Sequence, residues 1–254
     1  MSTAAESERV QILTPAWPVP PNVHAAFTLR SGGVSTAPFA SLNVGAHVGD
    51  QAAAVAENRG RVRTQLQLPE EPAWMEQVHG VQVLDLDVRR ADADIAADAA
   101  ITRRAGRVCA VQVADCLPVL LAVQDGSAVA AAHAGWRGLV EGVLEGTVKG
   151  LAVEPRRLLA WLGPGIGAAH FEVGDEVRSA FLARDAGAAS EFASNDRGRW
   201  QCDLAGLARR RLTTLGVSAI FGGDWCTYAD TGRFFSYRRD RRCGRMAALI
   251  WREE

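Results

Sequence analysis

Apolar positions along this chain follow two spacings. Short runs of β-like character fall at residues 23–29, 81–86, 108–113, 119–123, 128–132, 158–162 and 246–251. Between them, apolar residues recurring every three or four positions predict helices over 51–66, 139–151, 175–182 and 204–215. The mixture predicts an α/β (α+β) fold. Some strands succeed one another directly, and no βα unit or period of about 20–50 residues recurs, so neither a βα barrel nor a solenoid is supported. Residues 1–22 carry four prolines, Pro15, Pro18, Pro20 and Pro21, which predict an extended lead-in along the surface. Residues 23–254 then read as a single domain, within which the polar, small-residue segment 183–199 is expected to be an irregular surface loop.

Composition narrows the function classes. A chain of 254 residues, 48% hydrophobic and 22% charged, is long and apolar enough to bury a sizeable core. Its 28 basic and 29 acidic residues nearly cancel, leaving no global field to hold a nucleic-acid backbone or an anionic membrane surface. A small-molecule partner fits better. The first residues show no apolar run behind a basic start, and the apolar stretch 108–123 is interrupted by Gln112, Asp115 and Pro118. Neither a signal peptide nor a membrane span is therefore expected. Five scattered cysteines, Cys109, Cys116, Cys202, Cys226 and Cys243, read as the reduced thiols of a cytoplasmic protein.

The segment from Val108 to Trp136 is the most informative. Two apolar runs flank Gln124-Asp125-Gly126-Ser127, and Asp-Gly between such runs predicts a two-residue hairpin. Pairing Gln124 with Ser127 sets His133 opposite Pro118, with Cys116 one diagonal step away on the same face, backbones roughly 7–8 Å apart. Each residue alone keeps a plainer reading, Cys116 as a small buried hydrophobe and His133 as a core histidine. Context favours chemistry, since His133 ends a strand and a helix begins within the following Ala134-Gly135-Trp136-Arg137-Gly138, at a strand-to-helix switch. His79, just before the run 81–86, is a third candidate. Two imidazoles and one thiolate make a zinc set whose fourth tetrahedral position stays open, as in catalytic sites. A nucleophile and base pair, Cys116 with His133, is an equal alternative on these residues alone.

Other motifs prune the field. Walker A, HExxH and G-x-S-x-G patterns are absent. His170-Phe171-Glu172 matches half of a deaminase signature, but no P-C-x-x-C follows. Gly163 to Ala168 fits a dinucleotide loop, although Pro164 removes one of the N–H donors such a loop needs. Two regions suit an anion or polar ligand. One runs from Arg30-Ser31-Gly32-Gly33 through Asn43 to His47-Val48-Gly49-Asp50. The other, Ser236 to Arg245, crowds together Arg238, Arg239, Arg241, Arg242 and Arg245. A solvated basic loop partly neutralised by Asp240 is the bland alternative for the latter.

From about Phe27 to Trp251 the chain resembles the YfiH-like family, variously described as multicopper polyphenol oxidases (laccase-like), peptidoglycan editing factors and purine nucleoside phosphorylases. The resemblance rests on Phe27-Thr28-Leu29-Arg30-Ser31-Gly32-Gly33-Val34-Ser35, Ser41-Leu42-Asn43, His47-Val48-Gly49-Asp50, Gln77-Val78-His79-Gly80, Ala114-Asp115-Cys116-Leu117-Pro118, His133-Ala134-Gly135-Trp136-Arg137-Gly138, Gly163-Pro164, Phe171-Glu172-Val173 and Ser236-Tyr237-Arg238-Arg239. It implies a single domain with central mixed sheets packed as a sandwich and helices outside. It also implies one zinc held by His79, Cys116 and His133. The implied activity is phosphorolysis of adenosine, inosine and methylthioadenosine, with deamination of adenosine. Copper-dependent phenol oxidation fits less well, because a multicopper centre needs many histidines and the chain has 5.

Within that reading His79, Cys116 and His133 form the catalytic centre and Asp115 is the candidate proton shuttle. Arg30 and Arg238 are expected to hold phosphate, and Asn43 and His47 to contact the sugar or base. Two other readings follow from the same residues. One is a hydrolase of peptidoglycan precursors with Cys116 as nucleophile and His133 as base. The other is a binding module braced by a closed zinc site, with Cys109 or His170 as fourth ligand. The chain departs from the family at His170-Phe171, where relatives often carry cysteine and tyrosine.

Overall fold

The computed structural model describes residues 9–88 and 96–254; residues 1–8 of the expected lead-in lie outside the described residues. Thirteen strands follow in chain order: β1 (Ile12–Leu13), β2 (Val23–Thr28), β3 (Val83–Asp85), β4 (Ala99–Thr102), β5 (Val108–Val113), β6 (Leu117–Val123), β7 (Val129–Ala134), β8 (Leu158–Leu162), β9 (Glu172–Val173), β10 (Phe192–Ser194), β11 (Trp200–Cys202), β12 (Ala219–Gly222) and β13 (Met246–Arg252). They build a four-stranded sheet in the order β1-β2-β13-β5, a six-stranded sheet β12-β8-β6-β7-β4-β3, and a small sheet β10-β11-β9.

The side-chain period of two explains how these sheets stack. On β6, Leu120 and Ala122 turn toward the four-stranded sheet, where they meet Val111, Ala248 and Ile250. Their neighbours Val119, Leu121 and Val123 turn the other way, into a core closed by Leu139, Leu144, Phe181 and Leu207 from the helices. A third core, with Val62 of the helix Ala52–Gln65, covers the outer side of the four-stranded sheet. Central strands buried on both faces carry near-continuous apolar runs, which is why β6 is buried at every position. The result is a sandwich of mixed sheets with flanking helices, the α/β architecture expected from the chain.

Hairpin β6–β7 has the register that the Asp-Gly turn predicts, with Pro118 paired to His133 and Ala122 to Val129. Helix Leu204–Thr214 and helix Ala52–Gln65 fall where their apolar spacing places them. The helix expected over 139–151 is instead two, Trp136–Glu141 and Val143–Leu151, because Gly142 takes a φ of 109° that ends the first. The segment 183–199 is also more ordered than expected. It contains the short helical turn Ala186–Glu191 and β10, and it buries Ala188 and Phe192 in the core beneath the helices. Within the lead-in, β1 pairs with β2 and Val10 is buried. No described helix is long and apolar enough to cross a membrane, and all five cysteines are free.

Candidate active site

His133 is the penultimate residue of β7 and shares its parity with Val129 and Ala131, so its ring enters the space between the two large sheets. Cys116 sits one residue before β6, on the same face as Leu120 and Ala122. His79 comes from the loop ahead of β3, with a φ of 60°. A left-handed conformation at a non-glycine residue costs on the order of 1 kcal/mol and persists where neighbours hold it. Gly135 makes the convergence feasible, since a Cβ there would lie 2.9 Å from Cys116 Sγ and 3.2 Å from His79 Cδ2.

The ligand atoms of His79, Cys116 and His133 lie within 4.8 Å of one another, and among the described residues no other group of three or more His, Cys, Asp or Glu converges in this way. Cys116 Sγ is 3.7 Å from His79 Nε2, and the two imidazoles meet edge to face with centroids 4.8 Å apart. Two nitrogens and one sulfur within this span suit a tetrahedral divalent ion such as zinc with one position left for water or substrate. Cys109 and His170, the candidates for a fourth ligand, do not join the group. Cys109 is fully buried between the sheets, where burial pushes its thiol far up. His170 stacks on Tyr228, with Nδ1 3.5 Å from Cys226 Sγ.

Electrostatics favour the charged forms of the Cys116/His133 pair. Burial opposes the Cys116 thiolate, but the charge and hydrogen bond of His133, joined by His79, outweigh it and bring the thiol down to about 6. Burial likewise opposes the His133 imidazolium, and the Cys116 thiolate together with Asp98 lifts it to about 9. A thiol so lowered is deprotonated above pH 6, whereas an ordinary one needs a pH near 8.5. Metal-free protein should therefore show alkylation of Cys116 by iodoacetamide with a midpoint near pH 6, read by mass spectrometry of its peptide. A midpoint at or above that of a free thiol would contradict this pairing.

Asp98 is the residue that motif reading missed. It is completely buried and accepts four hydrogen bonds, from the backbone N–H groups of Val78 at 3.2 Å, His79 at 2.9 Å and Gly80 at 2.7 Å and from His133 Nδ1 at 2.8 Å. Burial resists its ionisation, yet the His133 bond and these N–H donors hold the carboxyl below its usual range. The available signal was an aspartate set among alanines ahead of an apolar strand, Ala97-Asp98-Ala99-Ala100. A charge in such a run requires partners.

The triad forms one wall of a cleft of about 520 Å³, whose other lining residues include His47, Trp136, Phe171, Arg137, Arg238 and Arg245. That volume is in the range of small-molecule sites, roughly 300–1,000 Å³. Among the described residues none of the three arginines makes an ion pair: Arg238 donates to Glu172 O at 2.9 Å, Arg245 to Cys243 O at 3.0 Å, and Arg137 lies over the Trp136 ring at 4.5 Å. Burial, followed by Arg245 and Arg59, keeps His47 below its ordinary value, so its imidazole is neutral near pH 7.

Three other candidates from the sequence have the following surroundings. Arg30 is not part of the cleft lining; its guanidinium donates to Thr231 O at 2.9 Å and Ala40 O at 3.1 Å and stacks on Phe235, tying loops together. Asn43 is fully buried, bonded to Asp50, to Gly45 and to the N–H of Arg245, and lies behind the loop that carries Arg245, outside the cleft lining. Asp115 does line the cleft, with a φ of 89°. Its Oδ1 accepts from Thr227 Oγ1 at 2.6 Å and its Oδ2 from the N–H of Arg238 at 2.6 Å. Each oxygen thus accepts one hydrogen bond, and Asp115 ties the Arg238 turn and Thr227 to the chain just ahead of β6. Arg245, from the second of the expected anion regions, lines the cleft with Arg238.

Residues 24–253 match the family model described as multi-copper polyphenol oxidoreductase laccase. The chain is 52% identical to the Pseudomonas aeruginosa protein called purine nucleoside phosphorylase PA4543, over 95% of this chain and 98% of that one. It is also 52% identical to purine nucleoside phosphorylase YfiH of Escherichia coli, again over 95% of this chain and 98% of the relative. Among solved structures, Neisseria meningitidis protein NMB0706 superposes with a TM-score of 0.92 at 44% identity, covering 96% of this chain and 99% of that one. YlmD of Geobacillus stearothermophilus superposes at 0.84 with 30% identity, covering 97% of this chain and 100% of its own.

Proposed function

The chain belongs to the multi-copper polyphenol oxidoreductase laccase family, and on that premise we propose that it is a zinc-dependent purine nucleoside phosphorylase acting on adenosine, inosine and methylthioadenosine, with a further adenosine deaminase activity. The observation that carries the reading is the juxtaposition, in one cleft, of a His79, Cys116, His133 ligand set and three arginines that form no ion pair among the described residues. Relatives named purine nucleoside phosphorylase over nearly the whole chain support it.

Phosphorolysis joins a phosphate oxygen to C1′ of the ribose while the bond from C1′ to the base breaks. Arg238 and Arg245 would hold the phosphate, since guanidinium forks match its oxygens and, among the described residues, neither guanidinium is committed to an ion pair. Phe171, Trp136, Ile166 and Leu204 supply apolar walls for a flat purine. Neutral His47 offers one donor and one acceptor to sugar hydroxyls. Asp115, through its bond to the Arg238 N–H, keeps that arginine facing the cleft. His79, Cys116 and His133 would hold the metal, which when bound supplies Lewis acidity and acidified water at its open position. Copper is the less fitting occupant of a multicopper kind, because His24 and His170 lie in other contacts and only this group of three converges among the described residues.

Purified protein incubated with adenosine and phosphate should release adenine and ribose 1-phosphate, and inosine through deamination. Base release that needs no phosphate, or no turnover of any purine nucleoside, would reject the proposal. A second reading has its own observation: Cys116, His133 and Asp98 line up as nucleophile, base and orienter, which would suit a cytoplasmic hydrolase of peptidoglycan precursors. Activity that survives chelation but not alkylation would favour it.

A further inference from the structure

We propose that Asp98 is the positioning residue of this site: one buried carboxylate that sets His79 and His133 at the separation a divalent ion requires and fixes the tautomer of His133. The inference rests on the metal reading of the triad.

The connections are unusually concentrated. Asp98 Oδ1 accepts from both His133 Nδ1 and the N–H of His79, while its Oδ2 accepts from the N–H groups of Val78 and Gly80. Its own carbonyl accepts the N–H of His133 at 2.7 Å, and its N–H donates to Gln82 O at 3.0 Å. One residue thus grips His133 by both ring and main chain, and grips the His79 loop on either side of that histidine. Because Nδ1 must donate to a carboxylate, the lone pair of His133 is on Nε2, the nitrogen left for a ligand bond. The same grip holds His79 in its left-handed conformation, which aims its ring at Cys116.

Charge adds a second argument. A divalent ion on two neutral imidazoles and a thiolate leaves one surplus positive charge, on a cleft wall where His133 is buried, Cys116 half-buried and His79 exposed. The Asp98 carboxylate, itself fully buried, balances it. Asparagine at this position keeps the shape but removes the charge, and its amide must set an NH2 group against two of the four donors, whichever oxygen it replaces.

The test uses the full chain, stripped of metal and titrated with zinc against a chromophoric chelator. Asp98→Asn should bind zinc about 10–100-fold more weakly than the wild type. Its cobalt-substituted form should show shifted visible bands, reporting altered ligand geometry, and kcat should fall with the nucleoside KM little changed. Equal zinc affinity and an unchanged cobalt spectrum would overturn the proposal. Should Asp98→Asn not fold, the wild type decides: in zinc-loaded protein labelled with 15N-histidine, His133 should carry its proton on Nδ1 with a strongly downfield shift. A proton-free Nδ1 would overturn it. Zinc that fails to bind the wild type at all would reject the metal reading and this inference together, whereas intact binding in both proteins rejects only the latter.

Discussion

Cys116→Ala should yield a folded protein that holds no stoichiometric metal and has lost on the order of 100-fold or more of its nucleoside-cleaving rate, in the range typical of removing a principal catalytic group. Folding should survive because Cys116 lies outside β6 and is only half-buried, and the core on either side of that strand is built by Leu120, Leu121 and their partners. Loss of one sulfur leaves a small defect at the rim. The function, by contrast, loses its softest ligand and the partner of His133 at once. Metal analysis, thermal melting and product assay on the same preparation separate the two effects. Full metal content with undiminished products would remove Cys116 from the site.

The second large effect belongs to the arginines. Arg245→Ala and Arg238→Ala should each raise the KM for phosphate by roughly 10–100-fold, since a hydrogen bond to a charged group contributes about 1.5–3 kcal/mol. Nucleoside binding should change far less. Arg238→Ala retains the main-chain bond to Asp115, so the turn keeps its anchor and the change reports the guanidinium alone. Arg30→Ala is the control: it is expected to loosen the loops joined at Ala40 and Thr231 without a selective effect on phosphate. Unchanged phosphate kinetics in both cleft variants would place the anion elsewhere.

Legibility differed from residue to residue. The pairing of Pro118 with His133 followed from one Asp-Gly turn, because hairpin register is set by the turn and by alternation, both of which are local. His79 drew attention from its own stretch, Gln77-Val78-His79-Gly80 ahead of an apolar run, but its convergence with Cys116 came only through the family resemblance, as nothing local points across 37 positions. Arg30 and Arg245 both lie in stretches expected to suit an anion, and both donate to backbone carbonyls, yet only Arg245 is placed where it lines the cleft. Asp115 drew attention as a carboxylate beside a cysteine, but its bonds to Thr227 and the Arg238 N–H, 112 and 123 positions away, have no signal in the chain. The two short strands β9 and β11 and the β10 edge were hidden because strands of two or three residues leave too few positions to show a period.

What the amino-acid sequence determined alone was whatever depends on neighbours a few positions apart: the helices over Ala52–Gln65 and Leu204–Thr214, the β6–β7 hairpin, and the shared face of Cys116 and His133. Tertiary structure decided which polar groups remain free to meet a ligand. That freedom is the difference between a side chain's hydrogen-bonding capacity and what the folded surroundings have already taken, and those partners come from segments that only packing brings together.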